Sequence, residues 1–204
     1  MNKNIQTHPH LELIVGTMFS GKSTELIKRS KRYQISGLNV EIFKPTTDDR
    51  YDIDTVESHD GLQIEVENVE HSQDILSRLD GQKDVVAIDE VQFFDSSIVD
   101  ICNNLAHSGK IVVAAGLLKD FRDKPFPFSD DQKDMLDLVK HADDFRHLKA
   151  ICTHKENGSP CGREATRVQR FVDDEVAPMD APTIEVGGRE SYAPRCREHF
   201  EFYE

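Results

Sequence analysis

Fourteen residues near the start of the chain, Leu11 to Thr24 (LELIVGTMFSGKST), constrain the fold more than any other stretch. Leu11, Leu13, Ile14 and Val15 form an apolar run of the length of one buried strand. Gly16 follows, then four residues, then Gly21, Lys22 and Ser23, and after them the good helix formers Glu25 to Arg29. Strand, G-x-x-x-x-G-K-S, helix is the context in which this motif is a phosphate-binding loop. The loop residues Gly16, Thr17, Met18, Phe19, Ser20 and Gly21 would wrap an anion with their backbone. Lys22, Ser23 and Thr24 open a helix whose N-terminal amides and dipole favour negative charge. Lys22 would reach the outer phosphates and the Ser23 hydroxyl would sit on Mg²⁺. The expected ligand is a nucleoside triphosphate with its Mg²⁺.

The overall charge works against a polyanionic partner. The chain has 204 residues and a formal charge of −13, from 38 acidic and 25 basic side chains. Such a field repels nucleic acid and anionic membrane, so a phosphate ligand must be held by a few placed cations. No apolar run approaches the ~20 residues of a membrane-spanning helix. The first ten residues lack the apolar core of a secretion signal. Four cysteines in that setting suggest thiols or metal ligands in a reducing compartment, and the expected location is the cytoplasm.

Read in order, the chain alternates strands and helices. A helix is expected from Lys22 to Ile35, ended by Ser36-Gly37, and a strand over residues 39–43. Residues 44–61 are rich in Asp and Thr without helical period and read as a long loop at a strand's end, where ligand loops sit in open α/β sheets. An alternating strand over 62–69 and a short helix over 72–79, with Ile75, Leu76 and Leu79 on one face, come next. The apolar run of residues 84–88 delivers Asp89 and Glu90 at its tip, and Asp89 there is placed to hold Mg²⁺. A helix over 96–107 carries Cys102 on its apolar face, where a thiol is a core residue. A buried strand over 110–116 and a helix within 130–141, with Met135, Leu136, Leu138 and Val139 inward, complete the pattern. The implied fold is a mostly parallel sheet covered by helices on both faces.

The pattern changes near Ala150, which divides the chain into a nucleotide-binding unit (1–149) and a small C-terminal one (150–204). Cys196-x-x-His199 is a tight knuckle, and Cys152 with Cys161 would complete a Cys₃His zinc site. Eight residues separate Cys152 from Cys161 where two to four are usual, so His154 competes with Cys152 as fourth ligand. A segment this poor in apolar residues needs a staple to order itself, which favours a structural zinc.

Together these residues resemble the thymidine kinase family of the zinc-containing, cellular and bacterial type. The stretches that carry the resemblance are GTMFSGKSTEL, DDRY, SHDG, DEVQFF, DFRDKPF, CGREATR and VGGRESYAPRCREHF, in family order over about residues 11–200. The resemblance implies a RecA-like P-loop sheet and a zinc-ribbon-like lid whose lasso loop closes over the nucleoside. It implies ATP-dependent phosphorylation of the 5′-hydroxyl of thymidine, with deoxyuridine the alternative acceptor. Glu90 corresponds to the family's catalytic base, and Asp48 and Arg50 to its Mg²⁺- and phosphate-side residues. Phe93 would flank the base, Met18 would lie toward the sugar, and Leu117, Phe121 and Phe126 would wall the pocket. Gly187 and Tyr192 would belong to the lasso. Two positions depart from the family pattern. Leu118 stands where an aspartate is usual, and Val168 replaces a frequent threonine, making one base contact apolar. The resemblance also suggests a homotetramer and feedback inhibition by thymidine triphosphate.

Without the family, Asp89 and Glu90 fit a nucleotide switch or motor equally well, because an acid at Glu90's position can activate water instead of an alcohol. The C-terminal lid and the aromatic residues 93, 121, 126 and 192 favour an acceptor pocket for a planar base, closed against water. A non-enzymatic zinc adaptor is the third reading, and the intact Lys22, Ser23, Asp89 and Glu90 weigh against it.

Overall fold

The computed structural model describes residues 8–46, 55–57, 63–184 and 191–202. The expected sites Asp48, Arg50 and Gly187, and most of the segment 44–61, lie outside the described residues. The chain runs β1 (His10–Gly16), α1 (Lys22–Ile35), β2 (Val40–Pro45), β3 (Thr55–Glu57), β4 (Gln63–Glu65), β5 (Glu67–Val69), α2 (Ser72–Arg78), β6 (Val85–Ile88), α3 (Ser97–His107), β7 (Ile111–Leu117), α4 (Met135–Val139) and β8 (Asp144–Leu148). Seven short strands follow: β9 (Ala150–Ile151), β10 (Lys155–Glu156), β11 (Ser159–Pro160), β12 (Glu164–Ala165), β13 (Arg167–Val172), β14 (Glu175–Val176) and β15 (Tyr192–Arg195).

Six strands form one sheet in the order β5-β2-β6-β7-β1-β8, and every pairing in it is parallel. Successive side chains of a strand point to opposite faces, so each strand feeds two cores. Leu11, Leu13 and Val15 of β1 pack with Ile75, Ile98, Cys102 and Met135 under α2, α3 and α4. Ile14 packs on the other face with Leu26 and Ile27 of α1 and with Val85, Ala87 and Val113. Both faces are therefore dry, as a parallel sheet requires. Glu12 is the exception on the α1 face. Its buried carboxylate accepts from the Tyr33 hydroxyl at 2.5 Å and lies 3.1 Å from the Arg29 guanidinium, which pins α1 to β1 and so fixes the loop between them.

Local features depart from the sequence expectation in several places. The strand expected over 62–69 is two short strands, β4 and β5. β4 pairs antiparallel with β3, inside the segment read as loop. The last helix, expected within 130–141, is Met135–Val139; Asp134 caps its start, accepting from Leu136 N at 2.8 Å, while Asp137 reaches back in a capping box. Leu76 and Leu136, expected inward, are half-exposed on their helices. β8 was not anticipated: it is the edge strand beside β1, and its residues Asp144 to His147 are exposed, so it lacks an apolar run.

Beyond β8 the short strands pair among themselves rather than with the parallel sheet, as β10–β11, β9–β12 and β14–β13–β15. Among the described residues no helix is long and apolar enough to cross a membrane.

Candidate active site and metal centre

The phosphate-loop geometry begins at Gly16, the last residue of β1. A Cβ there would lie 2.3 Å from Ser20 Oγ and 2.7 Å from Leu148 O, so only glycine lets the loop fold over its own strand. Gly21, at φ +84°, is the N-cap of α1, and Phe19 holds φ +65°, a strained conformation for a bulky residue and of the kind that collects at ligand sites. Lys22 is buried and donates to Thr17 O at 3.2 Å, across the mouth of the loop. Thr17 Oγ1 and Ser20 Oγ are buried with no hydrogen-bond partner among the described residues. Buried polar groups are nearly always paired, so these hydroxyls mark the loop as a polar receptor. Thr24 is buried within α1, one turn further on.

β6 ends against this loop. Asp89, fully enclosed, accepts a hydrogen bond from the Ser23 hydroxyl, and its Oδ1 has no partner among the described residues. Burial raises its pKa to about 7, the Glu90 carboxylate adds to the rise, and Ser23 and Lys22 oppose it. A carboxylate and a hydroxyl facing one point are the hard oxygen donors that Mg²⁺ takes, and a cation there would hold Asp89 ionised.

Glu90 departs from the strand into a left-handed conformation, φ 49° and ψ 42°, and opens a 3₁₀ turn over Val91–Phe93. Gln92 is a candidate site residue that sequence reasoning missed. Its fully buried carboxamide donates from Nε2 to Glu90 Oε2 at 2.7 Å, and its Oε1 accepts from Leu117 N at 2.9 Å. A Cβ on Gly116 would lie 2.6 Å from that Oε1 and 2.8 Å from Val91 Cγ1, so the glycine makes room for the bridge. The available signal was a lone amide inside the otherwise apolar VQFF.

The expected pocket residues fall into two clusters joined by one side chain. Phe93 and Phe126 meet edge to face, centroids 5.9 Å apart, in the core that also holds Leu117. Phe121, Val168 and Tyr192 form a second cluster with Ala177. Met18, from the phosphate loop, packs against both. Two guanidiniums lie over the Phe121 ring, Arg122 at 4.8 Å and Arg170 at 5.2 Å from its centroid. Arg122 donates to Ala181 O at 2.6 Å and Arg170 to Pro182 O at 2.5 Å, fixing the chain that leads toward residue 185. A separate cleft of about 620 Å³, bordered by Gln34, Val40, Glu41, Ile64, Arg78 and Lys83, contains none of the phosphate-loop or strand-tip residues.

The metal candidates also converge. Ligand atoms of Cys152, Cys161, Cys196 and His199 all lie within 4.8 Å of one another. His199 Nδ1 is 3.7 Å from Cys152 Sγ and 3.5 Å from Cys196 Sγ. Sulfur and nitrogen ligands of a tetrahedral zinc lie about 3.6 Å apart, close to both of these separations. His154 does not displace Cys152; its ring instead stacks on His199 at 4.1 Å. The apolar cluster here holds only Ala150, Cys152, Ala165 and Cys196, with Cys161 against it, too small a core to order these strands unaided.

Among solved structures the chain is similar to the ATPase DotB of Legionella pneumophila, at 15% identity and TM-score 0.37, over 60% of this chain and 35% of that one. It is also similar to Bacteroides Pif1 bound to ssDNA, at 18% identity and TM-score 0.30, over 54% of this chain and 29% of that one. The chain thus spans about a third of the length of each. The family model for thymidine kinase matches residues 9–200, nearly the whole chain and both the phosphate loop and the Cys/His cluster. The protein therefore belongs to the thymidine kinase family.

Proposed function

We propose that the protein transfers the γ-phosphoryl group of ATP to the 5′-hydroxyl of thymidine, with deoxyuridine as the alternative acceptor, giving the nucleoside monophosphate and ADP. The observation that carries this reading is the position of Met18. It belongs to the phosphate loop yet packs against both aromatic clusters, so phosphates in the loop and a planar ring against Phe93, Phe121 or Tyr192 would be neighbours.

In this reading Gly16 to Thr24 cradle the phosphates, and Lys22, with Arg50 of the segment outside the described residues, neutralises charge on the transferring group. Ser23 and Asp89, with Asp48, hold Mg²⁺, which when bound screens the phosphate oxygens. Glu90 takes the proton of the 5′-hydroxyl as its oxygen bonds to the γ-phosphorus and the bond to the β–γ bridging oxygen breaks. Gln92 keeps the Glu90 carboxylate from swinging away. Leu117, Phe126, Val168 and Tyr192 complete an apolar wall, and Gly187, outside the described residues, takes its nucleoside-binding role from the family resemblance. Residues 150–204 act as a lid domain on a structural zinc held by Cys152, Cys161, Cys196 and His199. By the family resemblance the enzyme is tetrameric and inhibited by thymidine triphosphate, and its cysteine usage assigns it to the cytoplasm.

Two substitutions test the assignment. Lys22→Ala should abolish turnover and weaken ATP binding. Glu90→Gln should keep ATP affinity while lowering kcat by about 10²- to 10⁴-fold. Wild-type kcat in Glu90→Gln would place the base elsewhere.

A further inference from the structure

The unusual spacing between Cys152 and Cys161 has a structural outcome. The intervening residues fold as a hairpin, with β10 (Lys155–Glu156) antiparallel to β11 (Ser159–Pro160). Asn157 at φ +50° and Gly158 at φ +84° make the tight two-residue turn, a pairing that favours left-handed backbone at both positions. Cys161 N donates to His154 O at 2.7 Å, closing the base of the hairpin and returning Cys161 to the thiol cluster.

The hairpin projects one carboxylate back onto the metal centre. Glu156 Oε1 lies 2.6 Å from His199 Nε2, while the other ring nitrogen, Nδ1, faces the sulfurs of Cys152 and Cys196. His154, at the hairpin's foot, stacks on the same ring at 22° between planes. His199 is therefore held on its edge by Glu156 and on its face by His154, both from the segment that widens the cysteine spacing.

We propose that this hairpin is a ligand-orienting device, and that Glu156 is the positioning carboxylate for the His199 zinc ligand. The proposal rests on the reading of Cys152, Cys161, Cys196 and His199 as a zinc site. A histidine that binds through Nδ1 carries its proton on Nε2. A carboxylate accepting that proton fixes the tautomer, sets the ring plane and makes Nδ1 a stronger donor. The neighbouring charges leave Glu156 available for this. Arg163 pairs with Glu198 through one nitrogen and donates from Nε to Cys161 Sγ at 3.2 Å, whereas its approach to Glu156 is a loose 3.9 Å. A thiolate at position 199 would need no such partner, because sulfur has no second proton to place.

The test is a double-mutant cycle on the full chain, read as apparent zinc affinity in competition with a chromophoric chelator. Glu156→Ala should weaken zinc binding about 10- to 100-fold and Glu156→Gln by less, and the visible spectrum of the Co²⁺-substituted protein should shift with the loss. In the His199→Cys background Glu156→Ala should change affinity by no more than about twofold. Affinity unchanged by Glu156→Ala, or lost equally in both backgrounds, overturns the proposal. If His199→Cys fails to fold, nitrogen-15 NMR of the zinc-loaded protein carries the test: the His199 Nε2 proton should exchange with solvent faster in Glu156→Ala than in the wild type, and equal exchange overturns the proposal. Zinc near zero in the wild type would remove the zinc reading and this one together, whereas one zinc per chain with unaltered affinity in Glu156→Ala would remove this one alone.

Discussion

Gln92 donates a 2.7 Å hydrogen bond from its Nε2 to Glu90 Oε2. Its Oε1 is anchored in turn on the backbone N–H of Leu117, the last residue of β7, so the strand next to the phosphate-loop strand holds the proposed base through one buried amide. Gln92→Ala should leave ATP binding nearly intact and lower kcat by about 10- to 100-fold, the scale on which misplacing a reacting group by an ångström acts. Steady-state kinetics with KM and kcat resolved checks this; a rise in KM for ATP with kcat unchanged would show that Gln92 acts through the nucleotide instead.

The glycine behind that amide makes a second, sterically distinct prediction. In Gly116→Ala the new Cβ meets Gln92 Oε1 at 2.6 Å and Val91 Cγ1 at 2.8 Å, in a core with no slack. The variant should lose about 1–3 kcal/mol of stability in urea denaturation, as overpacked cores do, and its kcat should fall because Gln92 is pushed off Glu90. Full stability and full activity together would mean the 3₁₀ turn yields more easily than its burial implies.

Asp89 would set the pH dependence of the proposed Mg²⁺ binding. Burial, and next the Glu90 carboxylate, raise its pKa to about 7 in the folded protein, above the ordinary value near 3.8. A raised carboxyl favours the protonated form, so this contribution to stability is fullest below pH ~3.8, is lost as pH rises toward 7, and stays lost above it. Mg²⁺ needs the ionised form, so affinity for Mg²⁺–nucleotide should weaken as pH falls below about 7, with proton release on binding near that pH, measurable by calorimetry in buffers of different ionisation enthalpy. Asp89→Asn should stabilise the metal-free protein at pH 8 by about 1–3 kcal/mol while removing turnover, because burial of the ionised carboxylate beside Glu90 is costly.

Removing zinc should affect the C-terminal strands first. Cys161 is held below the usual thiol pKa by the Arg163 backbone N–H and then by its guanidinium, so it is primed to bind as a thiolate, whereas burial pushes Cys152 up. A strong chelator should open residues 150–202 to hydrogen exchange and to trypsin while β1, β6 and β7 stay protected. Equal protection with and without chelator would contradict a metal staple.

The parts of the fold set by local chemistry were legible in the sequence, and the parts set by tertiary pairing were not. Gly16, Gly21 and Lys22 carry the loop in their own spacing, and β6 and β7 show as apolar runs because both faces are buried. β8 has one strand neighbour and exposed side chains, so Asp144-Phe-Arg-His-Leu148 carries no strand pattern. Gln92 showed only as a lone amide in VQFF, because its contact with Leu117 exists only once β6 and β7 pair. The hairpin at 155–160 did have a signal, Asn157-Gly158, and its importance emerged only when it placed Glu156 on His199. Cys102, expected in the core, is fully buried, and burial pushes its thiol pKa up to about 12.

The most direct test of the central claim is ATP consumption by the purified protein with Mg²⁺ across a panel of nucleosides, with products identified by mass. The account predicts ADP formation that depends on thymidine, more weakly on deoxyuridine, with the matching 5′-monophosphate in equal amount. ATP hydrolysis at the same rate with every nucleoside and with none would contradict it, and would assign Glu90 to activating water.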